Sequence, residues 1–188
     1  MNYGGTNKMA TKDYYWISEM CRQMGVERKR VLKSGEYLLE TYFRAKRSRR
    51  FDEVRTVRSM NITAEKQKIR REYLLLMKGA SKKDHAEFVW EALSAPWIDD
   101  KIKMILDVIG SYGEVGALYR TILEETYLKE KPLKGEALYR ACGLGRSAYF
   151  NRRKEAIALF GILTYKYAKR REEEDVATGV VDATERLA

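Results

Sequence analysis

The chain has little of what cross-links, metal sites or membrane spans are made from. It holds two cysteines, Cys21 and Cys142, far apart and without CxxC spacing. That excludes a disulfide framework, speaks against a zinc site and makes a reducing cytoplasm the natural setting. The one histidine, His85, has no partner at metal-binding or nucleophile-activating spacing, so a surface or packing role is expected of it. No apolar run approaches the ~20 residues of a membrane-spanning helix. The opening stretch MNYGGTNKMATKDYY lacks the apolar centre of a signal peptide. The phosphate loop GxxxxGK[ST] and the patterns GxGxxG, HExxH and GxSxG are all missing. Acids do pair at Asp99-Asp100 and in Glu172–Asp175, but a helix start and a tail account for them. No enzyme, cofactor or resident metal is expected. Only two prolines interrupt long stretches rich in Glu, Lys, Arg, Leu and Ala, which points to an all-α, multi-helix fold.

What the chain does have is positive charge. The formal net charge is +10 over 188 residues, strong enough at this size to favour a polyanionic partner. The charge is unevenly placed. Residues 28–58 carry a net +7, residues 145–171 a further +7, and residues 172–188 a net −5.

Taken in order, residues 1–10 are small and polar and are expected to be disordered. A first helix capped by Thr11 or Asp13 should run to Met24 and end at Gly25. Ser34 is placed to cap a second helix over 35–47, with Leu38, Leu39, Tyr42 and Phe43 on its buried side. The basic run that follows contributes Arg44, Lys46, Arg47, Arg49 and Arg50 as a second phosphate-binding patch. A helix over 64–78 capped by Thr63 closes a basic helical N-terminal part, residues 11–80, at the break Gly79-Ala80-Ser81. A helical domain over 81–171 should contain helices at 84–93, 97–109 and 114–128. The acidic tail, 172–188, is expected to be disordered.

The organising stretch is Lys134–Phe160, which reads as a helix-turn-helix. A short helix over 135–142, with Ala137, Leu138 and Ala141 inward, breaks at Gly143-Leu144-Gly145. A second helix then begins near Arg146 and continues well past Phe160. Tyr149, Ala156 and Phe160 share one stripe at seven- and four-residue steps. Arg146, Ser147, Phe150, Asn151 and Lys154 share another. A motif of this kind lays its second helix in the major groove, where Arg pairs with guanine and Asn with adenine. Arg146, Ser147, Phe150 and Asn151 are therefore the candidate base-reading residues. Lys134, Arg152, Arg153 and Lys154 are the candidates for phosphate or for the helix flank.

The run GLGRSAYFNRRKEA resembles the end of the ArpU/RinA-type phage transcriptional regulators, which are similar to the promoter-reading fourth domain of sigma factors. Gly143, Leu144, Ser147, Ala148, Tyr149, Phe150, Arg152, Arg153, Lys154, Ala156 and Ile157 fit that pattern. Gly145 departs from it, standing where the family has a Ser or Thr cap. The resemblance covers about the last third of the chain. It implies sequence-specific binding of double-stranded DNA to control phage or prophage late genes in a bacterial host cell, with RNA polymerase as a further partner. Two other readings compete. One is a small terminase-type DNA-recognition subunit that forms a ring, and so a homo-oligomer. The other is a helical adaptor whose positive charge meets an acidic protein.

Overall fold

The computed structural model describes residues 7–49, 62–79, 93 and 97–179. Among these the chain is all-helical, with seven helices and no strand. They are α1 (Asn7–Gln23), α2 (Arg28–Arg49), α3 (Ile62–Lys78), α4 (Ile98–Gly110), α5 (Gly113–Leu123), α6 (Gly135–Ala141) and α7 (Arg146–Ala177). A π-helical turn, Glu124–Leu128, continues α5.

The architecture is set by α7, whose 32 residues make it the longest helix described. Every residue from Glu155 to Leu163 is buried, on all sides of the helix. A helix apolar all round has to be enclosed, and α1, α2, α3, α4 and α5 all pack against this one. Phe160 and Ile157 sit at its centre, 0% and 1% exposed; burying one such side chain is worth roughly 1.5–3 kcal/mol. The surrounding helices are amphipathic and turn one stripe inward. In α4 that stripe is Ile98, Ile102, Ile105, Leu106 and Ile109, at three- and four-residue steps. Tyrosine hydroxyls join helices inside the protein. Tyr73 of α3 donates to the Gly161 carbonyl of α7 at 2.8 Å. Tyr42 of α2 donates to Asp99 at the start of α4 at 2.6 Å.

Four expectations from the sequence change here. Helix α1 begins at Asn7, so residues 7–10 are helical rather than disordered. Ser34 does not cap a helix: α2 runs unbroken through Ser34-Gly35, and both residues are buried against the core. The acidic stretch is partly structural. Glu172 and Asp175 lie in the last turns of α7 and are 4% and 9% exposed. Asp175 takes Arg70 of α3, and Glu172 takes Arg71 at 3.2 Å. Finally, the break at Gly79 does not separate two cores, because residues of α2 and α3 belong to the same buried cluster as α4, α5 and α7. The helix expected at 84–93, His85, and the stretch 50–61 lie outside the described residues, apart from Leu93, which is helical and buried.

Candidate nucleic-acid interface

The first turns of α7 project beyond the enclosed centre of the bundle and are held there by α5, its π turn and α6. The turn that starts them is built by backbone chemistry. Gly143 takes φ +65°, a left-handed conformation that costs a residue with a Cβ more than it costs glycine. Its N–H reaches the Arg140 carbonyl at 2.9 Å, and the Leu144 N–H reaches the Tyr139 carbonyl at 2.9 Å. These two bonds are the Schellman arrangement that ends α6. Gly145 then stands extended (φ −76°, ψ 162°) as the N-cap of α7, and its carbonyl accepts the Tyr149 N–H at 2.9 Å.

Tyr149 is the inner anchor, 1% exposed. Its hydroxyl shares a 2.7 Å hydrogen bond with Thr126 Oγ1, and its ring lies 5.0 Å from that of Tyr139 in α6. Phe150 stands edge-on to both rings, at 5.5 Å from Tyr149 and 5.8 Å from Tyr139, yet stays 39% exposed. The π turn brings Thr126 and Tyr127 to this same junction.

With Tyr149 turned inward, Arg146, Ser147, Ala148, Phe150, Asn151 and Lys154 are all exposed. Arg146, Phe150 and Lys154 follow one four-residue row, and Ser147 and Asn151 the row beside it. From Arg146 to Lys154 the stripe is about 12 Å long at 1.5 Å per residue, comparable with the ~12 Å width of the DNA major groove. Arg140 of α6 is exposed near Arg146, and Lys134, just before α6, is exposed as well. Arg140 is paired with Glu136 at 2.6 Å, a surface pair four residues apart that is worth little in water. A cleft lined by Glu136, Tyr139, Arg140, Leu144 and Arg146 runs between α6 and the start of α7.

Two of the expected phosphate ligands face the other way. Arg152 donates to the buried Glu155 carboxylate at 2.9 Å, and Tyr119 donates to the same oxygen at 2.8 Å. Burial of Tyr119 pushes its phenol up, so it remains a neutral donor. Arg153 donates to Tyr127 Oη and, at 3.1 Å, to Glu36 of α2, and its guanidinium lies over the Tyr127 ring. Burial pushes the Tyr127 phenol up to about 12, against the opposing pull of Arg153. Both guanidiniums are therefore spent on fixing α7 to α5 and α2. In α6, Leu138 is buried as expected, but Ala137 and Ala141 are exposed and Cys142 turns inward instead.

The second basic patch is described in part. Arg44 and Arg47 are exposed on α2, with Lys46 half-buried between them. Lys46 lies 5.7 Å from the Tyr42 ring centre, and Arg47 lies 5.5 Å from that of Phe43. Arg49 ends the helix, its side chain outside the described part, and Arg50 is not among the described residues. Arg44 and Arg47 continue the helical row of Glu36, which is bonded to Arg153, so the patch extends from a point tied to the base of the projecting turns.

Sequence reading missed Arg140 and Ala148 as members of this face. The register that buries Leu138 exposes Arg140, but choosing that register needs knowledge of what α6 packs on. Among the described residues no group of His, Cys, Asp and Glu is arranged to hold a metal ion, and no helix is long and apolar enough to cross a membrane. The arrangement defines a helical bundle presenting a short helix, a glycine turn and the exposed end of a long helix. Comparison with family models, with curated proteins and with solved structures finds no match to the chain.

Proposed function

We propose that the chain is a sequence-specific double-stranded-DNA-binding transcriptional regulator that reads the major groove with the first turns of α7. The observation that carries this reading is the division of those turns into two faces. Tyr149, Arg152 and Arg153 are engaged inward, while Arg146, Ser147, Phe150, Asn151 and Lys154 are left exposed together. Guanidinium and carboxamide groups on one projecting helix face are the chemistry that pairs with guanine and adenine edges. Lys154, Lys134 and Arg140 flank them for phosphate, and Arg44 and Arg47 offer a further phosphate contact from α2. The overall charge of +10 supplies the long-range attraction. The resemblance to ArpU/RinA-type regulators extends the proposal to phage or prophage late genes, to RNA polymerase as a partner, and to the cytoplasm of a bacterial host.

The test is a nuclease footprint on the DNA surrounding the chain's own gene, run with the unaltered protein and with Arg146→Ala/Asn151→Ala. A discrete footprint that the double variant loses is the expected result. Equal binding of both proteins to every DNA, with no footprint, would reject base reading by α7.

A further inference from the structure

Between α2, α3, α4 and the second half of α7, well away from the projecting turns, lies a cavity of about 410 Å³. That falls within the ~300–1,000 Å³ of sites that take small organic molecules. Its walls are mainly aliphatic, with Leu38 of α2, Ile102 and Ile105 of α4 and Ala168 of α7 among them. The space is partly open to solvent, and an occupant would remove its apolar walls from water.

The charged groups at the cavity have one sign. Among the described residues that line it there is no carboxylate, and its charged members are all cations. Arg70 and Arg171 are already held by acids of α7. Lys66 of α3 and Lys101 of α4 have no carboxylate partner among the described residues. Each rests against an aromatic ring of the wall instead: Lys66 lies 5.4 Å from the centre of the Trp97 ring, and Lys101 lies 5.6 Å from that of Tyr167. The Trp97 Nε1–H is buried and has no hydrogen-bond partner among the described residues, a state that an arriving acceptor would relieve. Two ammonium groups and one indole donor stand at a largely apolar space, and among the described residues no acid lines it.

We infer that this cavity binds a small amphiphilic anion, a medium-chain aliphatic carboxylate, with its chain among Leu38, Ile102 and Ile105 and its head group at Lys66, Lys101 and Trp97. A neutral hydrocarbon would leave the ammonium groups unused. A cationic amphiphile would set a third positive charge beside them. The assignment is independent of the DNA-binding reading, because it uses neither the exposed stripe of α7 nor α6.

Isothermal titration of the full chain with laurate, kept below its micelle concentration, tests it. One saturable site per chain is expected, with no saturable binding of dodecyltrimethylammonium. Losing charge-assisted hydrogen bonds in Lys66→Ala/Lys101→Ala should weaken laurate by about tenfold or more, and Trp97→Phe should weaken it less. Ile102→Trp, which fills the space, should abolish binding. Should that variant fail to fold, the lysine pair decides the matter, because its ammonium groups are not part of the apolar core. Absence of saturable laurate binding, equal binding of the cationic amphiphile, or unchanged affinity in a lysine variant of native helix content would each overturn the assignment.

Discussion

Gly35 of α2 and Gly161 of α7 meet where the two helices cross. A Cβ on Gly35 would stand 2.8 Å from the Ile157 carbonyl oxygen and 3.2 Å from Gly161 Cα. A Cβ on Gly161 would stand 2.7 Å from the Val31 carbonyl oxygen and 3.0 Å from Val31 Cγ1. The neighbours in the way are mostly backbone, which cannot swing aside as a side-chain tip can. Neither glycine takes positive φ, so their use here is absence of bulk. Glycine inside a helix costs about 1 kcal/mol relative to alanine. Alanine at either position would forbid the contact of the two helices along bare backbone.

Gly161→Ala is therefore expected to destabilise the protein despite its better helix propensity. Overpacking of this kind costs typically ~1–3 kcal/mol. The urea midpoint should fall with the slope unchanged. A midpoint equal to or above that of the unaltered protein would show that the helices cross with room to spare.

The two glycines of the α6–α7 turn should respond in opposite directions. Gly143 holds φ +65° and Gly145 holds φ −76°. Gly143→Ala forces a Cβ into the left-handed region and should cost about 1–2 kcal/mol. Gly145→Ser restores a side-chain cap to the N-terminus of α7 in open space, with no atom within 4 Å of the new Cβ. It should add a few tenths of a kcal/mol. Thermal melts of the two variants check both signs. A gain from Gly143→Ala or a loss from Gly145→Ser would contradict the turn geometry.

The end of α7 has a stabilising task that charge counting hides. The Arg70 side chain is 11% exposed and faces the carboxylates of the buried Asp175 and Glu172. Breaking such a pair strands a buried cation, at a cost of about 3–5 kcal/mol. Asp175→Asn/Glu172→Gln should lower the denaturation midpoint strongly, and added salt should not mimic the effect, because buried pairs are poorly screened. A midpoint within error of the unaltered protein would mean that Arg70 finds water instead.

Much of this fold could be read from the residues. Few prolines and strong helix formers point to all-α, and Gly25, Gly79 and Gly143 end their helices as expected, each at positive φ. The inward Tyr149–Ala156–Phe160 stripe and the exposed Arg146, Ser147, Phe150, Asn151 and Lys154 also follow from periodicity. What periodicity could not show is what a helix packs against. Ser34-Gly35 looks like a helix start until α7 is laid across it. Glu172 and Asp175 look like a solvated tail until Arg70 and Arg71 of α3 face them. Arg152 and Arg153 sit in a basic run whose charge suggests one shared face. The one acid of that run, Glu155, is three residues from Arg152 and was the available sign that the run divides.

That division gives the sharpest separation of stability from binding in the molecule. Arg153→Ala removes the hydrogen bonds to Tyr127 and Glu36 and uncovers the Tyr127 ring. Arg152→Ala leaves the Glu155 carboxylate, 4% exposed, with Tyr119 but without its guanidinium. Each should cost roughly 1–3 kcal/mol of stability, as for a buried polar group deprived of a partner. Lys154→Ala removes an exposed ammonium and should leave the melting temperature within a degree or so, because surface substitutions of this type are worth about ±0.5 kcal/mol. If α7 lies in the groove, Lys154→Ala should weaken all DNA alike and reduce the salt slope of binding by about one. Arg146→Ala should instead cost about 1–3 kcal/mol at the preferred sequence and relax the preference. Melting curves and salt-dependent binding isotherms on the same four proteins separate these effects. Loss of DNA affinity in Arg153→Ala without loss of stability would place that guanidinium on DNA and reverse the facing of α7.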